Sequence, residues 1–140
     1  MADILVDAGP LIALLSKSDR YHSGCVRVFR QLNCPMITTL PVVTEAMHFL
    51  HIFGGPAGQG ALWKLILRGD LLLEHPGPAE LVRMDVMMKK YADLPMDFAD
   101  ASLVVAAERH SINRIFTLDR ADFTAYKLHD KMSFVIVGPN

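Results

Sequence analysis

Ile4-Leu5-Val6-Asp7-Ala8-Gly9-Pro10-Leu11-Ile12-Ala13-Leu14-Leu15 is the stretch on which the fold turns. Ile4-Leu5-Val6, an apolar run bounded by Asp3 and Asp7, predicts a strand buried on both faces, and the spacing of Leu11, Ile12, Leu14 and Leu15 predicts a helix over Ala8–Ser18. Strand, acid, helix is the unit, and strands keep alternating with helices down the chain. A helix over Asp19–Asn33, closed by Pro35, leads to a strand at Met36–Thr39. Pro41 suits the first turn of a helix that runs to Phe53 and is stopped by Gly54 and Gly55. Gly54 to Gly60 lacks a Gly-Lys-Ser/Thr ending and follows a helix, so it is expected to be an inter-helix loop and not a phosphate loop. A helix over Ala61–Arg68, a strand over Leu71–Glu74 and helices over Pro78–Tyr91 and Asp97–Ser111 follow. A strand at Arg114–Thr117, a short helical piece at Arg120–Tyr126 and a last strand at Phe134–Val137 complete the series.

Such alternation implies an α/β fold with a mostly parallel sheet covered on both faces, and ligands in such sheets bind beyond the carboxyl ends of the strands. Asp7 ends the first strand directly, and Asp119 follows Arg114–Thr117 with one residue between. Both acids are expected in one crevice.

Four carboxylates fall where an apolar strand or helix should be buried or should end: Asp7, Glu45, Asp100 and Asp119. Burying several unpaired negative charges together costs several kcal/mol per ion, on the order of magnitude known for buried ions, unless divalent cations fill the space between them. Each acid also has a structural reading. Asp7 suits a helix N-cap, and Asp97 with Asp100 three residues on resembles a capping pattern. The helix after Asp97 is apolar almost all round until Glu108, which puts Asp100 in the first turn of a buried helix. Glu45 lies between Phe49 and Ile52 on the helical wheel, outside the polar face of Thr44, His48 and His51, so it edges the buried side. Of Asp119 and Asp122, the second is expected to cap the short helical piece, yet either could face the crevice after a one-turn shift. Thr117 can add a hydroxyl behind the acids.

Glu45, His48 and His51 give one Glu-x-x-His element where a di-iron bundle needs two, and no His-Glu-x-x-His zinc motif occurs. His48 and His51 are expected on the surface, and an oxygen-only ligand set points to Mg²⁺ or Mn²⁺. An aspartyl-phosphate design would want Asp-x-Asp after the first strand, and Asp7 is followed by Ala8-Gly9.

The 140 residues suit one domain, residues 1–140, with a single core and no need of disulfides. Cys25 and Cys34 share no C-x-x-C spacing and are expected to be reduced, as suits a cytoplasmic protein. No basic n-region opens the chain and no apolar run reaches a membrane span, so neither secretion nor membrane insertion is expected. A net charge of −1 excludes bulk electrostatic binding of nucleic acid, and any such role needs local charge, with Lys17, Arg20 or Arg120 as candidates. The hydrophobic fraction is 51 %, and Met84, Met87 and Met88 form a helical stripe suited to the core or to an adaptable partner-binding face.

Ile4 to Leu15, Thr44-Glu45-Ala46, Asp97-Phe98-Ala99-Asp100-Ala101-Ser102-Leu103-Val104 and Phe116-Thr117-Leu118-Asp119-Arg120-Ala121-Asp122-Phe123 together resemble the PIN domain in order and spacing. The match runs over nearly the whole chain, and the subgroup it resembles is the stand-alone, VapC-like toxin type. The resemblance implies a three-layer α/β/α sandwich with four or five short, mostly parallel strands. It implies a Mg²⁺- or Mn²⁺-dependent endoribonuclease in which Asp7, Glu45, Asp100 and Asp119 hold the metal, with Asp97 as an extra ligand. It also implies a homodimer and a small inhibitory antitoxin that inserts into the active-site groove, while the weak overall basicity predicts selective recognition of a structured RNA substrate. One departure stands out: Ala8-Gly9-Pro10 occupies the place where many relatives carry Thr or Ser followed by Asn or a similar polar residue. The alternative is a catalytically weak PIN-like binding module that acts through a partner protein or a dimer.

Overall fold

The computed structural model describes residues 2–139; Met1 and Asn140, the ends of the expected domain, lie outside the described residues. Its strands are β1 (Ile4–Val6), β2 (Met36–Thr39), β3 (Leu71–Glu74), β4 (Arg114–Phe116), β5 (Lys127–Leu128), β6 (Met132–Ser133) and β7 (Val135–Val137). Its helices are α1 (Ala8–Leu15), α2 (His22–Gln31), α3 (Leu40–Arg68), α4 (Pro78–Lys90), α5 (Phe98–His110) and α6 (Arg120–Ala125). Five strands form one sheet in the order β3-β2-β1-β4-β7, and every pairing in it is parallel. The α/β class and the five-stranded parallel sheet agree with the sequence reading.

Strands this short hold their place by burial. Every residue of β1 and β2 is buried, which requires cover on both faces and explains the unbroken apolar run Ile4-Leu5-Val6. Thr38 tolerates this because its Oγ1 donates to the Val6 carbonyl at 2.8 Å, and the Thr39 and Ser102 hydroxyls lie 2.6 Å apart. On the α5 side, all residues from Ala99 to Ala107 are buried, so α5 is the central helix its composition predicts.

The chain leaves β1 toward β2 and β3 on one side and places β4 and β7 on the other. The strand order therefore reverses between β1 and β4. A crevice opens at such a reversal, beyond the carboxyl ends of the two strands. Leu5 pairs with Ile115 and Val6 with Phe116, which carries Asp7 and Thr117 side by side past the end of the sheet.

Three expectations need correction. The helix that was to stop at Gly54 and Gly55 continues as α3 to Arg68, with Gly69 as its left-handed C-cap. Gly55, at φ 60° and ψ −151°, is the single non-helical residue inside it, so the Gly-rich stretch is a kink and not a loop. Pro56 starts the second arm, where a missing N–H costs little. Second, the apolar side of that helix is not all buried: Phe49 and Phe53, just before the kink, are 38 % and 61 % exposed. Met84 and Met87 are buried in the core, one of the two roles their stripe suits. Third, Lys127–Leu128 and Met132–Ser133 pair as a small antiparallel hairpin where no strand was expected. Each strand has only two residues, below the length at which alternation can be read.

The kink rests on close approach. A Cβ on Gly58 would stand 2.6 Å from the Leu50 carbonyl oxygen, whereas nothing lies within 4 Å of one on Gly60. Gly58→Ala is therefore expected to lower the unfolding free energy by about 2 kcal/mol, the usual cost of overpacking. Gly60→Ala should leave it unchanged or raise it by up to about 1 kcal/mol. Urea denaturation of the two variants checks this, and equal losses would contradict it.

Candidate active site

Six carboxylates line one crevice of about 400 Å³: Asp7, Glu45, Asp97, Asp100, Asp119 and Asp122, walled by Gly9, Pro95 and Leu118. The fold brings them there from four directions. Asp7 ends β1 and caps α1, its Oδ1 accepting from the Ala8 amide at 2.8 Å. Glu45 comes from the second turn of α3. Asp97 caps α5 and accepts from the Asp100 amide at 2.7 Å, while Asp100 Oδ2 receives the Asp97 amide at 3.4 Å. This reciprocal box orients Asp100 into the crevice.

Asp119 is the N-cap of α6 and accepts from the Asp122 amide at 3.5 Å, which corrects the expectation that Asp122 caps this helix. Asp122 stands in the first turn, three residues on, as Asp100 does after Asp97. The Thr117 hydroxyl accepts from the Asp119 amide at 2.9 Å and so fixes where α6 begins. Both acids reach the crevice.

The two innermost carboxylates are each held by a buried hydroxyl. Thr117 Oγ1 donates to Asp7 Oδ2 at 3.1 Å, a bond that follows from the β1–β4 register. The Tyr126 hydroxyl donates to Asp100 Oδ2 at 3.1 Å, and the Tyr126 ring is fully buried against Tyr91 and Phe123. Sequence reading missed Tyr126. In the sequence it is one aromatic at the end of a short helix, and only the chain's return past α5 brings it to Asp100.

Among the described residues, no lysine, arginine or histidine lines the crevice. Lys17, proposed for substrate phosphates, lines a separate cleft, Arg20 stacks over Tyr21, and Arg120 is bonded to the carbonyls of Gly138 and Pro139. Burial first, and then the charges of Glu45 and Asp97, push the Asp7 carboxyl up to about 6. Burial, followed by Asp97 and Asp7, raises Asp100 to about 7. Burial, with Asp97 beside it, also raises Glu45, and burial with neighbouring Asp119 raises Asp122.

These groups suit a divalent cation in chemistry: oxygen donors only, crowded, partly desolvated and without a basic counter-ion. As they stand, no three His, Cys, Asp or Glu side chains among the described residues make a ready-formed metal site. Holding an ion takes rotamer changes, which Glu45 on its longer stem and the exposed Asp119 can make more readily than the pinned Asp7 and Asp100. Elsewhere, Cys25 and Cys34 are free thiols, His48 and His51 are exposed, and no helix among the described residues is long and apolar enough to cross a membrane.

No family model matches the chain. It is 25 % identical over 124 residues to Ribonuclease VapC26 of Mycobacterium tuberculosis (strain ATCC 25618 / H37Rv), across 89 % of this chain and 92 % of that protein. Its fold superposes with a TM-score of 0.84 on the crystal structure of Mycobacterium tuberculosis VapC20, described as a sarcin-ricin loop cleaving toxin. That match covers 97 % of this chain and 99 % of the other at 19 % identity. Both likenesses agree with the VapC-like, PIN-type resemblance carried by the four acidic motifs.

Two outcomes follow from the crevice. A carboxyl whose folded pKa lies above its unfolded value stabilises the fold below the unfolded value and loses that contribution as pH rises. The rise of Asp7 from 3.8 to about 6 is alone worth about 3 kcal/mol. The metal-free protein should therefore lose stability between about pH 4 and pH 7, and added Mn²⁺ should raise its Tm more at pH 7.5 than at pH 5. Thermal denaturation across pH reads both, and a metal effect that is larger at pH 5 would contradict them. Tyr126→Phe, which removes the donor to Asp100 and keeps the ring, should weaken Mn²⁺ binding by about 10-fold with the fold retained. Calorimetric titration measures it, and unchanged affinity would contradict the role.

Proposed function

We propose that this VapC-like chain is a metal-dependent endoribonuclease and the toxin of a toxin-antitoxin pair. One observation carries the reading: six acids without a basic partner converge at the strand-order reversal of a parallel sheet. The likeness to Ribonuclease VapC26 over most of both chains supports RNA as the substrate class. We take Mg²⁺ or Mn²⁺ as the cation, since every available donor is a carboxylate oxygen.

Asp7, Glu45, Asp100 and Asp119 are the proposed ligands, with Asp97 and Asp122 at the exposed and half-exposed rim. The cation, when bound, supplies charge to the phosphoryl oxygens and a water of lowered pKa. In the hydrolysis a water oxygen bonds to phosphorus, one phosphorus–ribose oxygen bond breaks, and the departing ribose oxygen gains a proton. Thr117 and Tyr126 keep Asp7 and Asp100 from rotating away, so the two buried acids are oriented before substrate arrives. Gly9 and Leu118 close one wall, where an ideal Cβ on Gly9 would touch the Leu118 side chain at 3.4 Å. No side-chain nucleophile is needed, and the absence of a hydroxyl at Ala8 does not empty the site, because the Thr117 hydroxyl reaches Asp7 from β4.

Substrate phosphates meet no lysine or arginine in the crevice, so affinity must come from the cation and from contacts outside it. That favours selective recognition of a folded RNA over indiscriminate binding. Ile52, Phe53, Trp63 and Leu67, each more than half exposed on the kinked α3, are the surface we assign to a second copy or to an antitoxin.

Incubating a pool of tRNA and rRNA fragments with the purified chain should give discrete products with Mg²⁺ or Mn²⁺ and none with chelator. Asp7→Asn and Asp100→Asn should each lower the rate by more than about 100-fold. Full metal-dependent cleavage by the double variant would sink the assignment. A metal-binding chain that cleaves no RNA would move the weight to a binding module.

A further inference from the structure

A second cavity of about 760 Å³ runs beside the acid crevice and shares Glu45 and Asp97 with it as a common wall. Its remaining lining is Leu40, Pro41, Thr44, His48, Phe98 and Ala99. Leu40, Thr44 and His48 are spaced four apart and form one stripe along α3. Phe98 faces them as the first residue of α5, directly after Asp97.

Two large apolar side chains sit here in solvent: Phe98 is 51 % exposed and Leu40 44 %. Each opens a helix that is otherwise tightly buried at that end, α5 from Ala99 onward and α3 at Val42 and Ala46. Neither is needed to fill the core. The groove holds no lysine or arginine, so a phosphate chain gains nothing by entering it, and the two acids on its wall would repel one. A flat, uncharged ring with a polar edge fits better. The Phe98 face offers stacking, the Thr44 oxygen can still accept while its hydroxyl donates to the Leu40 carbonyl at 2.9 Å, and the His48 imidazole stands at the rim.

We propose that this groove is a nucleobase subsite: an unstacked base of the RNA, next to the phosphate being cut, stacks on Phe98 between α3 and α5. The assignment rests on the ribonuclease reading, since the shared wall of Glu45 and Asp97 puts the groove within reach of a nucleotide neighbouring the one in the crevice. It explains how a crevice and groove lined by no lysine or arginine gain affinity for RNA. It also places sequence preference at the nucleotide beside the cut.

The test uses oligouridylate decamers carrying a single 2-aminopurine at each position in turn, bound in Ca²⁺, with fluorescence quenching as the sign of stacking. Wild type and Phe98→Tyr should quench the probe at one preferred position. Phe98→Ala should lose the quenching and bind about 10- to 100-fold more weakly. Its Tm should stay at the wild-type value because the side chain is half exposed, and Leu40→Ser should give a smaller loss in the same direction. Wild-type quenching and affinity in Phe98→Ala, with RNA cleavage intact, would overturn the subsite alone. So would a dimer in sedimentation that Phe98→Ala splits without touching RNA binding, since the groove would then be a contact between copies. A wild-type chain that neither binds any probe nor cleaves the RNA pool would overturn the ribonuclease reading and the subsite with it.

Discussion

Asp7 and Asp100 are buried beside one another's charge with no basic side chain to answer them, and the rest of the molecule is arranged around that fact. Two desolvated carboxylates disfavour the folded chain at neutral pH, so the sheet must hold them against their own repulsion. It does so with two buried hydroxyls that the core and the sheet already hold in place. The β1–β4 register delivers the Thr117 hydroxyl to one, and the buried Tyr126 ring delivers a phenol to the other. Each bond favours the ionised acid, while burial favours the neutral one. The outcome is a pair of groups balanced near neutrality, which an added cation converts into ligands.

Charge elsewhere is spent within the chain. Arg83 pairs with Glu108 and Asp130, Arg109 with Glu74 and Glu80, and Arg114 with Asp3. These pairs are at least partly solvent-exposed and contribute little to stability individually. Their effect is on the field around the crevice: these bases are committed to other acids, and the crevice lining stays acidic. A phosphodiester is attracted to such a site only through a cation, and specificity must come from shape and stacking next to it. The apolar groove between α3 and α5 is placed to supply both.

Most of the sheet could be read in the residues because buried parallel strands are short, apolar and bounded by acids or turn residues. Ile4-Leu5-Val6 and Met36–Thr39 fall where that pattern puts them. The convergence of Asp7 with Asp119 also follows from the pattern, since acids after strands meet at the carboxyl end of a parallel sheet. Gly54-Gly55-Pro56 misled because Gly and Pro stop most helices, whereas here a single positive φ at Gly55 bends α3 and Gly58 lets it pack across the bend. Asp119 and Asp122 both suit a cap by residue type, and the choice falls to Asp119 because the Thr117 hydroxyl takes its amide and α6 starts directly after it. Tyr126 carries no local signal at all. Its role exists only through a contact with Asp100, 26 residues away in the chain.

An acid crevice of this kind trades protons for a divalent cation. Calorimetric titration of Mn²⁺ at pH 6.5, in two buffers of different ionisation enthalpy, tests this by counting the protons released per ion bound. Net proton release is expected, shrinking toward zero by about pH 8.5, where Asp7 and Asp100 are ionised before the ion arrives. Binding that releases no protons at pH 6.5, or release that survives in the Asp7→Asn, Asp100→Asn double variant, would contradict it.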